Sequence, residues 1–212
     1  YKCCLNGMRS YNGVAIISKE QPKEFFCHDY PKPKLVIYLS QLYHLIHELK
    51  QSGVCMENSE LFSNRFSRGD FGIGIIGLGY VGLPTAIGFH DAGFNVWGVD
   101  VSKRTVDLVL QGKNPTGDPD VDDIVPKPGT ERWHVTTSTA EAVPNCDIIL
   151  VTVPTPITND LKPDLSYVEA AGRDVFSSIR RGSNTIVVLE STVYPGVTAQ
   201  TWMPIIEELG LK

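Results

Sequence analysis

The chain has 212 residues, enough for one large domain, or for one domain with an appendage, and for a substantial hydrophobic core. Nineteen basic against twenty-four acidic side chains give a formal net charge of −5, which argues against a nucleic-acid-binding surface over the whole molecule. The composition is typical of a small-molecule enzyme, and no nucleic-acid partner is expected.

The cysteines and the apolar runs indicate the cellular compartment in which the protein is expected. The five cysteines are odd in number and contain no Cys-x-x-Cys pair, so neither a disulfide framework nor a zinc site is indicated. No run of about eighteen or more apolar residues occurs and no leader stands at the start, so we expect no membrane association and a cytoplasmic location. The first residue is Tyr1 rather than Met, which suggests a fragment.

Residues 1–69 differ from the rest and are expected to form a separate, irregular or partly helical N-terminal segment. An Asn-Gly pair at 12–13 indicates a turn before a short strand, and apolar residues at helical spacing predict an amphipathic helix over 35–50. His44 and His47 fall on the polar side of that helix, so solvent exposure is a better interpretation than a metal site. No metal is predicted.

The central motif of the chain is a glycine-rich stretch directly after an apolar run. Gly77, Gly79 and Gly82 form the pattern G-x-G-x-x-G. Gly77 allows a tight turn, Gly79 lets the backbone approach a pyrophosphate, and Gly82 lets helix and strand pack closely. The free N–H groups and the positive dipole end of the following helix would face the phosphates. An ordinary glycine-rich turn is the alternative to dinucleotide binding.

The surrounding pattern favours dinucleotide binding. Residues 71–76 predict a buried strand, 80–92 a helix that ends at Gly93, and 94–99 a second strand, which is the βαβ unit the motif requires. Asp100 follows the second strand. Its carboxylate can accept hydrogen bonds from the adenosine ribose and would repel a 2′-phosphate, which favours NAD over NADP. The basic pair at 103–104 could soften this discrimination.

The rest of the chain alternates strands and helices. Ser102 can cap a helix that runs to Gln111, and a Ser166-x-x-Glu169 capping box begins a later helix. A short helix is predicted at 139–143, and further strands at 133–136, 147–153 and 185–189. This alternation predicts an α/β fold with a doubly wound parallel sheet, a Rossmann domain over 70–212, with its ligand across the carboxyl ends of the strands.

Two strand ends carry the remaining polar residues. Thr155 lies in the loop after one strand, and Ser191 and Thr192 lie in the loop after the next. Their hydroxyls can bond the nicotinamide ribose, a catalytic water or a substrate. From spacing alone, ordinary strand-terminating turns are an equal alternative. Cys146, at the buried start of a strand, is interpreted as a structural hydrophobe.

Five motifs in order resemble the N-terminal NAD-binding domain of the UDP-glucose/GDP-mannose dehydrogenase family, over about residues 70–212. They are Gly77-Leu-Gly-Tyr-Val-Gly-Leu-Pro84, Val99-Asp-Val101, Val153-Pro-Thr-Pro156, Pro163-Asp-Leu-Ser166 and Glu190-Ser-Thr-Val-Tyr-Pro-Gly196. The last motif is closer to the branch that acts on UDP-N-acetylhexosamines than to the UDP-glucose branch, in which a Lys usually precedes the Ser-Thr. A UDP-glucose 6-dehydrogenase is the nearest alternative activity.

The resemblance implies which residues hold NAD. Carried over residue by residue, the cofactor-binding positions are Gly77, Leu78, Gly79, Tyr80, Val81, Gly82, Asp100, Val153, Thr155, Ser191, Thr192 and Val193. Arg104 is added to them as a candidate. It also implies that Thr192 has a catalytic role and helps to hold the catalytic water. The family often has a basic residue five positions after the ribose-binding Asp. Here that position is Thr105, and Arg104 comes just before it.

The resemblance also implies a reaction. Such enzymes oxidise a primary alcohol twice with two NAD, through a thiohemiacetal and a thioester on a Cys that lies beyond this domain. No Cys-Pro-Lys-Asp-type motif occurs in the sequence. We therefore expect the NAD-binding half of a UDP-N-acetylhexosamine 6-dehydrogenase, truncated before the catalytic Cys and inactive alone. The UDP-sugar substrate and a homo-oligomer are expected only with the missing C-terminal portion.

Two hypotheses from other classes remain. The first is a free-standing NAD-binding module that acts as a sensor or partner. The second rests on residues 1–26, which resemble a strand-turn-strand piece of the exodeoxyribonuclease III family. None of that family's metal-binding or catalytic motifs accompanies the piece, so nuclease activity is not carried over. The segment is interpreted as a fusion scar or an assembly chimera.

Overall fold

The structure is a computed structural model that describes residues 71–158, 160, 162–183 and 185–211. The N-terminal segment 1–69 lies outside the described residues, with its predicted helix, its two histidines and its exodeoxyribonuclease-like stretch. The domain boundary near residue 70 therefore stays a prediction.

Five parallel strands form one sheet in the described part of the chain, in the order β3-β2-β1-β4-β5. The strands are β1 (Gly72–Ile76), β2 (Asn95–Val99), β3 (Trp133–Thr136), β4 (Ile148–Val151) and β5 (Ile186–Leu189). Ile76 at the end of β1 pairs with Val99 on one side and with Val151 on the other. The strands on both sides of β1 therefore end at the same level, and the order reverses between β1 and β4. This confirms the predicted doubly wound sheet.

Helices connect the strands and cover both faces of the sheet. They are α1 (Gly82–Asp91), α2 (Lys103–Leu110), α3 (Thr139–Ala142), α4 (Ser166–Ser178) and α5 (Met203–Glu208). Right-handed crossovers place α1 and α2 on one face and α3 and α4 on the other. Among the helices that the structure describes, none has the length and apolar character needed to cross a membrane.

A hydrophobic core lies between the sheet and helices α4 and α5. Ile149 and Val151 of β4 pack there with Phe176 of α4 and with Trp202. The indole N–H of Trp202 donates to the carbonyl oxygen of Val168 at 2.9 Å, and its ring meets Phe176 edge-on with centroids 5.4 Å apart. Burial of this apolar surface supplies the main stabilising term and fixes β4 and β5 relative to α4.

The helical segment after residue 197 was missed by the sequence analysis. A π-helical turn at Thr198–Trp202 leads directly into α5. Pro204 interrupts the apolar pattern of this segment, and for this reason no helix was predicted here from the sequence. In the structure Pro204 lies in the first turn of α5, directly after the π-helical turn.

The cap predicted for α2 is confirmed. Ser102 Oγ accepts a hydrogen bond from the backbone N–H of Thr105 at 3.3 Å, and this satisfies one of the free donors at the helix start.

The capping box predicted for α4 is wrong. Ser166 is the first residue of the helix rather than its cap, and the capping residue Leu165 makes no side-chain cap bond. Asp164 takes the role instead, because its Oδ1 accepts from the backbone N–H of Ser166 at 2.9 Å. An Asp side chain readily bonds the backbone two residues ahead, which the pattern of Ser166 and Glu169 concealed.

Candidate cofactor-binding site

The chain turns sharply at Gly77 as it leaves β1. Gly77 has a φ of +98°, a conformation that favours glycine. Its N–H still donates to the carbonyl oxygen of Val99 at 2.7 Å, so the turn begins directly at the edge of the sheet. A side chain at this position would also come within 3.1 Å of the carbonyl oxygen of Thr152. Gly77 thus makes the tight turn that the sequence predicts.

Gly82 and Gly79 have opposite surroundings. A Cβ atom at Gly82 would overlap the carbonyl oxygen of Gly77, so the start of α1 packs against the turn with no room for a side chain. Gly79 is exposed, and a Cβ atom there would meet nothing within 4 Å. The backbone at Gly79 therefore borders open space that a ligand can fill. This difference fits a pyrophosphate above Gly79 and close packing at Gly82.

Thr152 fixes the glycine turn from β4, a role that the sequence analysis missed. Its hydroxyl donates a hydrogen bond shared between two carbonyl oxygens. Its Oγ1 lies 2.8 Å from the carbonyl oxygen of Gly77 and 3.0 Å from that of Ile76. Its backbone N–H donates to the carbonyl oxygen of Ile76 at 2.9 Å. A hydroxyl residue directly before the Val-Pro-Thr-Pro motif was the available signal.

Asp100 joins the end of β2 to the glycine turn. Its Oδ2 accepts from the backbone N–H of Leu78 at 2.8 Å, and its Oδ1 accepts from that of Ser102 at 2.8 Å. A carboxylate oxygen can accept more than one hydrogen bond, so this half-buried group can also receive ribose hydroxyls. A contact of Asp100 with the ribose stays a prediction, whereas its hydrogen bond to Leu78 was not predicted from the sequence.

The other predicted residues near the turn differ in exposure. Leu78 is buried, and its side chain occupies the space beside Gly98 of β2. Tyr80 and Val81 are exposed, with 69% and 46% of their surface accessible. Arg104 is exposed in the first turn of α2. Tyr80, Val81 and Arg104 therefore border solvent. The side chain of Leu78 instead packs inside the protein, against Gly98 of β2.

Hydroxyl groups tie together the loops that follow β4 and β5. Thr155 Oγ1 donates to the carbonyl oxygen of Thr192 at 2.8 Å, and Ser191 Oγ donates to that of Val153 at 2.7 Å. Ser191 is only 4% exposed, so its hydroxyl serves the loop structure. Thr192 is exposed, and within the described part of the chain its hydroxyl makes no hydrogen bond. Val193 is half-buried between these loops and the core.

Two further ionisable groups lie near these loops or beneath them. Glu190 follows β5 and is half-buried, and burial raises the pKa of its carboxyl. Cys146 is buried, and this burial, together with the negative charge of Asp147, raises the pKa of its thiol to about 12. Its Sγ donates to the carbonyl oxygen of Ala142 at 3.3 Å. A thiol with such a pKa is protonated and unreactive at neutral pH, which agrees with a structural role.

These features form one line across the carboxyl edge of the sheet. Asp100 lies at the β2 side, the open space over Gly79 lies in the middle, and the loops with Thr155 and Thr192 lie at the β4 and β5 side. A dinucleotide binds an open α/β sheet in this direction, at the point where the strand order reverses.

Comparison with known proteins identifies the family of the chain. Residues 71–211 match the UDP-glucose/GDP-mannose dehydrogenase family, NAD binding domain. The chain belongs to this family. The cofactor of the domain is therefore NAD, as the sequence predicts, and the fold is the NAD-binding half of nucleotide-sugar dehydrogenases.

Curated relatives match the same region. NDP-N-acetyl-D-galactosaminuronic acid dehydrogenase of Ralstonia nicotianae is 39% identical over 128 residues, which are 60% of this chain and 29% of the relative. UDP-N-acetyl-D-mannosamine dehydrogenase of Escherichia coli is 38% identical over 126 residues, which are 59% of this chain and 29% of the relative.

A solved structure agrees with these relatives. GDP-mannose dehydrogenase from Pseudomonas aeruginosa superposes with a TM-score of 0.61 at 37% identity, over 65% of this chain and 32% of that protein. The chain thus spans about a third of the length of the relatives it matches.

Proposed function

We propose that this chain is the NAD-binding part of a nucleotide-sugar 6-dehydrogenase whose substrate is a UDP-N-acetylhexosamine. The observation that carries the proposal is the open space over Gly79, with Asp100 on one side and the linked loops of Thr155 and Thr192 on the other. The sugar class is supported by the names of the Ralstonia nicotianae and Escherichia coli relatives. It is also supported by the Glu-Ser-Thr-Val motif that begins at Glu190.

The residues of this chain have distinct tasks in binding. The backbone at Gly79 and the N-terminus of α1 receive the pyrophosphate, and Asp100 receives the adenosine ribose. Arg104, exposed near the end of β2, borders the adenosine side. The loops with Val153 and Thr155 border the nicotinamide side. When bound, NAD accepts the hydride that leaves the sugar alcohol.

Among the described residues of the two loops, Thr192 is the one best suited to hold a water molecule. Its side chain is exposed in the loop after β5, and its hydroxyl makes no hydrogen bond within the described residues. Its backbone carbonyl is held by Thr155, which fixes the position of the loop. A hydroxyl in this position can orient a water toward a thioester, because it is not already engaged in a hydrogen bond within the protein.

We expect no NADH from this chain alone with NAD and UDP-N-acetyl-D-mannosamine. Oxidation of an alcohol to an acid through a thioester needs a thiolate beside the reacting carbon. Cys146 is the one cysteine among the described residues, and it is a buried thiol with a pKa of about 12. NADH formation that a Cys146→Ser substitution abolishes would contradict this assignment.

A chimera tests the proposed function directly. Residues 71–211 replace the matching segment of the Escherichia coli UDP-N-acetyl-D-mannosamine dehydrogenase. We expect NADH formation from NAD and UDP-N-acetyl-D-mannosamine, measured by absorbance. The same chimera with Gly79→Ala is the matched control, and it should fold and lose activity at low NAD concentration. A folded chimera that binds no NAD would overturn the proposal.

A further inference from the structure

Glu190 directly follows β5, two strands away from the glycine turn that follows β1. Val187 and Leu189 of β5 pack against the core on the α4 side of the sheet. Because side chains alternate along a strand, Glu190 faces the opposite side, the side of α1. Its backbone N–H donates to the carbonyl oxygen of Val151, which places it in register with Thr152 on the neighbouring strand.

Thr152 faces the same side and marks the end of the cofactor crevice. Its hydroxyl bonds the carbonyl oxygen of Gly77, and it lies against the start of α1 at Gly82. Glu190 is therefore one strand farther than Thr152 from the pyrophosphate position over Gly79. Asp100 marks the adenosine end on the other side of β1, so Glu190 lies at the nicotinamide end.

The elements around Glu190 provide no cation. The first turn of α1, residues 82–85, carries no charged side chain, and neither does the loop 152–158 after β4. The loop 191–196 contains only the neutral phenol of Tyr194 among ionisable groups. Burial is the cause of the raised pKa of the Glu190 carboxyl, and no neighbouring charge offsets it. A half-buried carboxyl group thus borders the crevice without a charged partner from the described chain.

We propose that ionised Glu190 faces the nicotinamide ring and makes this site prefer NAD⁺ to NADH. This inference rests on the proposed function. The oxidised ring carries a positive charge and the reduced ring carries none, so a fixed carboxylate stabilises only the oxidised cofactor. When NAD⁺ is bound, the positive charge of its nicotinamide ring also favours the ionised form of the Glu190 carboxyl.

The preference would suit the proposed reaction. Two successive oxidations of one sugar consume two NAD, so NADH must leave and NAD⁺ must enter between them. A carboxylate that discriminates between the two forms promotes this exchange. Unit charges about 6 Å apart at an effective dielectric constant of about 40 give roughly a tenfold difference in affinity.

Calorimetric titrations with NAD⁺, NADH and ADP-ribose test the inference on the full chain. The wild type should bind NAD⁺ about tenfold more tightly than NADH. Glu190→Gln should remove most of this ratio and leave the affinity for ADP-ribose unchanged, since ADP-ribose has no nicotinamide. Glu190→Asp, which retains the charge, should keep a preference for NAD⁺. Glu207→Gln, an exposed substitution on α5, is the matched control and should behave as wild type.

The outcomes separate this inference from the proposed function. Equal affinities of the wild type for NAD⁺ and NADH would overturn the role of Glu190 and leave NAD binding intact. An undiminished preference in Glu190→Gln would do the same. If the wild type bound none of the three ligands, the proposed function itself would fail, and this inference with it.

Discussion

The carboxylate of Asp100 holds the backbone amide of Leu78, with 2.8 Å between Oδ2 and N. Asp100 directly follows β2, and Leu78 lies in the glycine turn after β1, so one side chain connects two strand ends. The group assigned to the adenosine ribose therefore also sets the position of the turn assigned to the pyrophosphate. In the proposed function, cofactor selectivity therefore depends on the same residue that fixes the shape of the turn.

We expect the chain to bind NAD more tightly than NADP, and Asp100→Ala to narrow the difference. The carboxylate would face the 2′-phosphate of NADP, and its removal relieves that repulsion. NAD affinity should also fall, because Leu78 and Ser102 lose their acceptor, with about 1–3 kcal/mol lost from the free energy of unfolding. Calorimetry and urea unfolding measure both effects, and Asp123→Ala on the exposed loop is the control. Equal affinities of the wild type for NAD and NADP would contradict the assignment.

Gly82→Ala and Gly79→Ala should differ sharply in stability. A methyl group at Gly82 overlaps the carbonyl oxygen of Gly77, whereas one at Gly79 meets no protein atom within 4 Å. We expect Gly82→Ala to lower the free energy of unfolding by about 2 kcal/mol or more. Gly79→Ala should change it by less than about 0.5 kcal/mol. Urea denaturation provides both values, and a Gly82→Ala protein as stable as the wild type would show that the turn is packed differently.

Cys146 should resist alkylation in the folded chain. Burial removes access to its sulfur, and a thiol pKa of about 12 leaves almost no thiolate at neutral pH. Labelling with iodoacetamide, followed by mass spectrometry of the peptide that contains Cys146, measures the rate. We expect labelling to begin only in denaturing urea. Rapid labelling in buffer would mean that this cysteine is an accessible nucleophile.

Glu190→Gln should stabilise the free chain at neutral pH. Burial raises the pKa of this carboxyl in the folded state above its unfolded value, so as pH rises the unfolded chain releases the proton first. Stability is therefore lost as pH rises from the unfolded pKa through the folded pKa, and the Gln variant escapes this loss. The difference should disappear in acid, where both states are protonated. Thermal unfolding across pH measures it, and a difference that is constant with pH would exclude titration of Glu190 as its cause.

The βαβ unit was predictable from sequence because its determinants are local. Apolar runs with β-branched residues predict buried parallel strands, and Gly77 and Gly82 are needed wherever such a turn packs this closely. The observed β1, α1 and β2 agree with the predicted segments to within a few residues. The cap at Ser102 followed from the same kind of local chemistry.

The contacts that fix the site depend on distant parts of the chain. Thr152 meets Gly77 across 75 positions, and Thr155 meets Thr192 across 37, so no local pattern reveals either bond. Spacing alone could not distinguish the buried Ser191 from the exposed Thr192, although both are hydroxyl residues of one motif. Tertiary packing decides which of these hydroxyls forms a hydrogen bond within the protein and which stays free for a ligand.

Calorimetric titration of NAD into the wild-type chain and into Gly79→Ala tests whether the cofactor lies over Gly79. A methyl group at Gly79 meets no protein atom within 4 Å, so the variant should melt at the wild-type temperature. We expect the wild type to bind NAD and the variant to bind it at least about tenfold more weakly, because the methyl group occupies the space of the pyrophosphate. No binding by the wild type, or undiminished binding by a folded Gly79→Ala chain, would contradict it.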